Sequence, residues 1–212
     1  MVSPEPVWIM HFTHVSHLTA IAAAGLLSDS AAQGASSFKV EVGNTGIKEQ
    51  RRRRVVPVAP GGVVADYAPF YFAPRSPMMF AIFKGRVPTY QGTCDELVYL
   101  VSKVQRMIDL GLTTVFTDRN AALQVARFST DVSELASMID WPLMRATYWN
   151  NTEAEPDRRE RRMAECLVHG GVPWSAFSAV VTRNEACAQQ ATAALTAAGA
   201  TTHVYVRPTW YF

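Results

Sequence analysis

Three prolines in nine residues set the firmest local limit on this chain. Pro69, Pro74 and Pro77 fall within "ADYAPFYFAPRSPMMFAIFKG". Each fixes its own φ and lacks an N–H, so no continuous helix can run before Ser76; "SPMMFAIF" can then start one with Pro77 at its first position, where the missing N–H is harmless. Around this segment, short apolar runs alternate with capped helical patterns. "VWIMHFT" (7–13) reads as a strand. "SHLTAIAAAGLL" reads as a helix with Ser16 as N-cap and Gly25 near its end. "DELVYLVSK", "TTVFTD", "RRMAECLV", "FSAVVT" and "HVYVRP" read as further strands. "KVQRMIDLG", "NAALQVARF", "DVSELASMI" and "NEACAQQATAALTAAG" read as helices, the last ended by Gly199. Two stretches have no sustained period: residues 28–60 and "ATYWNNTEAEPDRRE". The first is long for a structureless loop and reads as a lid. The expectation is one α+β domain over residues 1–212, with a mixed sheet, flanking helices and two long arginine-bearing loops.

Several function classes are disfavoured. The sequence holds no GxGxxG, P-loop, nucleophile elbow or HExxH. Cys94, Cys166 and Cys187 lack CxxC spacing and read as packing residues. His11, His14 and His17 are three residues apart, but a strand over this region turns His14 away from His11, so no metal site is expected. With no basic leader and no apolar stretch long enough to span a bilayer, the expectation is a cytoplasmic protein without membrane contact. Net charge is only +2. Its distribution says more: arginines cluster at Arg51, Arg52, Arg53 and Arg54, and again at Arg158, Arg159, Arg161 and Arg162. The planar fork of arginine suits bidentate contact with phosphate or carboxylate.

Glu165 is an acid inside the apolar run "RRMAECLVHGGVPW". On a strand it shares a face with Met163 and Leu167, which places a carboxylate among apolar neighbours at lowered dielectric. His11 and Thr13 form a His-x-Thr pair at a strand end, with an imidazole and a hydroxyl side by side, suited to fixing an amide or a ribose.

Taken in order, "MHFTHVSHL", "GIKEQRRRRVV", "DYAPFYFAPRSPMM", "FTDRNAA", "YWNNTEAEPDRRERR" and "RRMAECLVHGGVPW" resemble the DarT family, bacterial toxins that ADP-ribosylate a base in single-stranded DNA. The resemblance runs from about Trp8 to the C-terminus. It implies an ADP-ribosyltransferase fold, a split mixed sheet whose cleft takes NAD as co-substrate with no metal. It further implies that His11, Phe12 and Thr13 hold the nicotinamide and its ribose, that Arg51 binds NAD and acts at the target base, and that Glu165 is the catalytic glutamate. The segment from about Arg119 to Glu160 would recognise the substrate, and a macrodomain antitoxin would remove the modification. The family usually has one or two arginines where this chain has four, so Arg52 is the alternative to Arg51.

The chemistry agrees with those assignments. Cleaving a nicotinamide glycosidic bond builds positive charge on the anomeric carbon, and a carboxylate bonded to the adjacent 2′-hydroxyl stabilises that charge more than the ground state. Arginine is not deprotonated near neutrality, so Arg51 is read as stabilising the base anion and the NAD phosphates rather than as taking the proton. The target base, expected to be thymine, must be unpaired. Tyr71, Met78, Tyr148 and Trp149 are candidates for stacking on DNA; Arg75, Arg158 and Arg159 are candidates for its phosphates. Two alternatives remain at this level: transfer to protein or RNA through the same cleft, and a non-enzymatic module whose arginines neutralise phosphate.

Overall fold

The computed structural model describes residues 6–34 and 40–212. The strands are β1 (Trp8–His14), β2 (Leu26–Leu27), β3 (Tyr67–Tyr71), β4 (Leu97–Lys103), β5 (Thr114–Thr117), β6 (Phe128–Ser129), β7 (Glu165–His169), β8 (Gly171–Val172), β9 (Ala179–Thr182) and β10 (Val204–Val206). The helices are α1 (Leu18–Ala24), α2 (Asp29–Gly34), α3 (Thr45–Arg53), α4 (Pro77–Phe83), α5 (Val104–Asp109), α6 (Leu135–Met138), α7 (Trp141–Arg145), α8 (Arg158–Arg161) and α9 (Glu185–Ala197). Among the described residues, eight strands join in the order β10-β9-β4-β1-β3-β7-β5-β6, and β2 pairs with β8. The β9–β10 pair is parallel and the others are antiparallel, so the sheet is mixed as expected.

β4 is covered on both faces and is apolar at nearly every position. On one side Val98 and Leu100 pack with Leu18 and Ile21 of α1 and Leu195 of α9. On the other, Leu97, Tyr99 and Val101 pack with Met79 and Ile82 of α4 and with Tyr211. The helix expected from Ser76 is α4, with Pro77 in its first turn and the Ser76 hydroxyl accepting the Met79 N–H. All three cysteines are buried and free. No described helix is long and apolar enough to cross a membrane.

One register detail creates the cleft. β1 follows β4 from Trp8↔Lys103 to His14↔Leu97, whereas its ladder with β3 is the single pair Met10↔Tyr71. The sheet therefore divides between β1 and β3. Pro69 has no N–H to offer β1; instead its carbonyl accepts a hydrogen bond from His11 Nδ1 at 2.8 Å.

Several expectations change, among them the strand face expected to be shared by Met163 and Glu165: β7 begins at Glu165, and Met163 lies in the turn before it. The stretch expected to be a structureless lid contains α2 and α3, because Asn44 caps α3 by accepting from the Gly46 and Ile47 N–H groups; residues 35–39 of that stretch lie outside the described residues. "NAALQVARF" makes turns instead of a helix, since the Asn120 and Asp118 side chains take the Ala122 and Arg127 N–H groups and compete with helical pairing. "DVSELASMI" is split between a 3-10 turn at Val132–Glu134 and α6. At α1 the chain enters through a 3-10 turn, Val15–His17, capped by the His14 ring where Ser16 was expected to serve.

Candidate active site

Glu165 opens β7, paired with Tyr71 on one side and Thr117 on the other. It is 1 % exposed. Both antiparallel partners fix its backbone, and the Thr117 hydroxyl accepts its N–H at 3.1 Å. The carboxylate receives the Ala121 N–H on Oε1 at 3.1 Å. Arg51 Nη1 donates to Oε1 at 3.0 Å and to Oε2 at 2.9 Å. Glu165, Met163, His11, Thr13, Tyr71 and Arg51 all line one cavity of about 250 Å³. A carboxylate has roughly four lone-pair sites, so these donors leave one on Oε2.

The four consecutive arginines point to four surroundings, since successive residues of a helix are rotated by about 100°. Asn44, Ile47, Lys48 and Arg51 form the face of α3 that meets the cavity. Arg52 pairs with Asp29 of α2 at 3.0 Å. Arg53 is 83 % exposed and bonds only Glu49 of its own helix among the described residues. Arg54 holds Gln124 at 3.0 Å and lies over the Phe128 ring. The geometry therefore singles out Arg51 as the arginine on the carboxylate. Its other terminal nitrogen, Nη2, is buried without a hydrogen-bond partner among the described residues.

Across the split, His11 and Thr13 line the same cavity. Burial lowers the His11 pKa to about 4, against the hydrogen bond to Pro69, with Arg51 lowering it further. The ring is neutral near pH 7, and with Nδ1 donating to Pro69, its Nε2 is an acceptor. Phe12 also lines the cavity and stacks on Tyr71 with centroids 6.3 Å apart. Burial, then the nearby Glu165, raises the Tyr71 phenol above its ordinary range. The Thr13 hydroxyl sits 2.8 Å from His17 Nδ1.

The candidate DNA contacts divide. Met78 lines the cavity beside Tyr71, whose hydroxyl donates to its sulfur at 3.9 Å. Tyr148 is 80 % exposed. Trp149 is 4 % exposed and packs edge-on against Phe80 and Phe212, so its ring is a packing group where a DNA-stacking group was expected. Arg75 has a φ of 55°, unusual for a residue other than glycine, and its guanidinium covers the Phe212 ring at 4.4 Å. Arg158 is paired with Glu155 at 2.5 Å; Arg159 makes no ion pair among the described residues. Arg161 bonds Asp140, Asp157 and Glu155. Buried Arg162 donates to the carbonyls of Leu143, Met144 and Pro74, an architectural clamp whose pKa burial lowers to about 10. No cluster of His, Cys, Asp or Glu suited to a metal occurs among the described residues.

Sequence reasoning missed three contributors: Ala121, whose backbone orients the carboxylate; Thr117; and His17. The first two lie in "FTDRNAA", read as the end of a strand and the start of a helix as well as part of the family pattern, but with no site role for either residue.

Residues 10–212 match the family model described as "ssDNA thymidine ADP-ribosyltransferase, DarT". A DNA ADP-ribosyl transferase of Thermus sp. (strain 2.9) is 41% identical over 172 residues, covering 81% of this chain and 79% of the relative. The structure of Thermus sp. 2.9 DarT in complex with ADP-ribosylated ssDNA superposes with a TM-score of 0.91 at 36% identity, covering 100% of this chain and 99% of that one. Its complex with NAD+ gives 0.88 at 34% identity, covering 100% of both.

Proposed function

The chain belongs to the DarT family, and on that premise we propose how its own residues divide the work. It is an NAD-dependent enzyme that transfers ADP-ribose to thymidine in single-stranded DNA. The expected acceptor class, co-substrate and single-stranded DNA partner thus agree with the comparisons.

Glu165 is the catalytic carboxylate. Its remaining Oε2 lone pair takes a hydroxyl of the nicotinamide ribose and opposes the positive charge that grows on the anomeric carbon. The observation that carries this reading is the placement of Glu165: nearly inaccessible, held by three hydrogen bonds from Ala121 and Arg51, and bordering the cavity. When the glycosidic bond breaks, its electron pair leaves with nicotinamide. A ring nitrogen of thymine then bonds the same carbon, and its proton passes to solvent. Arg51 stays protonated throughout, its Nη1 on Glu165 and Nη2 available to an NAD phosphate or the base anion. His11 Nε2 accepts from, and the Thr13 hydroxyl bonds to, the nicotinamide ribose portion, with Phe12 and Tyr71 walling the pocket. Met78, Tyr148, Arg75 and Arg159 contact the DNA strand, Arg158 secondarily.

The whole chain acts as one catalytic domain, a reading supported by eight strands drawn from residues 8 to 206 meeting in one sheet, and its DNA substrate supports action in the cytoplasm. Its cellular role is that of a toxin countered by a macrodomain that removes the adduct; a bulky group on a template base obstructs copying, so a cell holding this activity needs its reversal. Incubation with labelled NAD and oligonucleotides of defined sequence tests the proposal. Label is expected on thymine-containing single strands, absent from thymine-free strands, and lost with Glu165→Gln. Labelling by the Gln variant at the native rate would overturn the assignment of Glu165.

A further inference from the structure

We infer that His17 is a positioning residue for the NAD site: it fixes the hydroxyl of Thr13 as a hydrogen-bond donor toward the cavity. The inference rests on the reading that Thr13 binds the nicotinamide ribose portion of NAD.

His17 is buried at the end of the 3-10 turn that follows β1. Its Nε2 accepts the Val40 N–H at 3.1 Å. A nitrogen accepting a hydrogen bond carries no proton, so in the neutral ring the proton is on Nδ1. That nitrogen lies 2.8 Å from Thr13 Oγ1, and its N–H therefore donates to the hydroxyl. A hydroxyl has one hydrogen and two lone pairs. With one lone pair committed to His17, the hydrogen of Thr13 is left to point away from the ring, and Thr13 lines the cavity. The backbone amide of Val40 thus selects a tautomer, the tautomer orients a hydroxyl, and the hydroxyl meets substrate as a donor. Without the ring, the same hydroxyl would rotate freely between donor and acceptor arrangements, and NAD binding would have to order it. Val40 precedes α3, so one imidazole also joins the ligand-holding strand to the approach of the lid helix.

A double-mutant cycle on the full chain tests this, measuring the Kd for NAD by calorimetry and kcat for transfer to a thymine-containing single strand. His17→Phe keeps a ring and removes the hydrogen bonds to Thr13 and Val40. Its Kd is expected to rise roughly five- to tenfold, the effect of one lost hydrogen bond. At saturating NAD its kcat should change by under about twofold. In a Thr13→Val background the same substitution should add less than about twofold, because coupled partners are not additive. His17→Gln, with one donor and one acceptor, should restore most of the affinity. Native affinity in His17→Phe, or an equal loss with and without Thr13, overturns the inference while leaving Thr13 as a ligand. Native affinity in Thr13→Val overturns both. Should the Phe variant not fold, His17→Leu enters the same cycle with the same expected coupling.

Discussion

Replacing Glu165 with Ala removes a charge whose effect can be sized from its surroundings. With three of about four lone-pair sites filled by Ala121 and Arg51, one remains for a ribose hydroxyl, which would place the carboxylate on the order of 4–5 Å from the anomeric carbon. Two unit charges at that separation attract by about 3–4 kcal/mol at an effective dielectric near 20. Each 1.36 kcal/mol or so is a factor of ten, so transfer should slow by roughly several hundredfold, within the usual range for losing one preorganised electrostatic partner. The charge on that carbon develops only as the bond breaks, so the KM for NAD should stay within about threefold. Ala also strands the Ala121 N–H and the Arg51 guanidinium, destabilising the fold by about 1–3 kcal/mol; Glu165→Gln, which keeps an acceptor for Ala121, should lose less stability and as much activity. The assay is initial-rate transfer of labelled ADP-ribose to a thymine-containing single strand, with KM for NAD and a melting curve measured in parallel. Transfer within about tenfold of native, or a KM that rises as far as kcat/KM falls, would refute the transition-state argument.

Arg51→Ala should lower transfer by more than about a hundredfold, whereas Arg53→Ala, at a solvent-exposed position, should leave the rate within about twofold; equal rates for the two would detach the lid helix from catalysis. Trp149→Ala should destabilise the fold by about 3–5 kcal/mol, because a buried indole is lost, and thermal melting would expose the error if the loss were negligible. His11 is held neutral by burial, with a pKa near 4 against an ordinary 6.5; a lowered folded-state value means its contribution to stability is full above pH 6.5 and is lost as pH falls from there toward 4. An NMR titration placing the ring near 6.5 would contradict that. Arg159→Ala should flatten the log–log salt dependence of single-strand binding by about 0.7, and Arg158→Ala by less, since Glu155 already engages it; a salt series compares them.

What the sequence revealed depended on how local the cause was. Pro77 after Ser76 and the apolar run of β4 are local signals, and both elements lie where expected. Glu165 was noticeable as an acid in an apolar run, and its burial agrees with that reading. The preference for Arg51 over Arg52 rests on the family resemblance alone; the residues themselves do not fix that register, because it depends on where α3 starts, which Asn44 sets by capping. "NAALQVARF" has helical spacing but forms turns, as Asp118 and Asn120 divert its N–H groups and Arg54, from a distant part of the chain, holds Gln124. Trp149 looked like a stacking group because an aromatic in a polar loop gives no sign that Phe80 and Phe212 cover it. His17 belonged to a histidine pattern suggestive of metal; its role depends on Val40, twenty-three residues away.

The two members of the central ion pair have unequal footing. Glu165 is set in an interior strand with paired neighbours on both sides, while Arg51 arrives on a nine-residue helix at the end of the lid. The carboxylate is a fixed datum, and the arginine is the adjustable pointer read against it. With the roles proposed for the two residues, sequence drift in the helix bearing Arg51 would retune the grip on NAD and the target base without displacing the Glu165 charge, whereas a one-residue slip in β7 would turn that charge to the opposite face of the sheet.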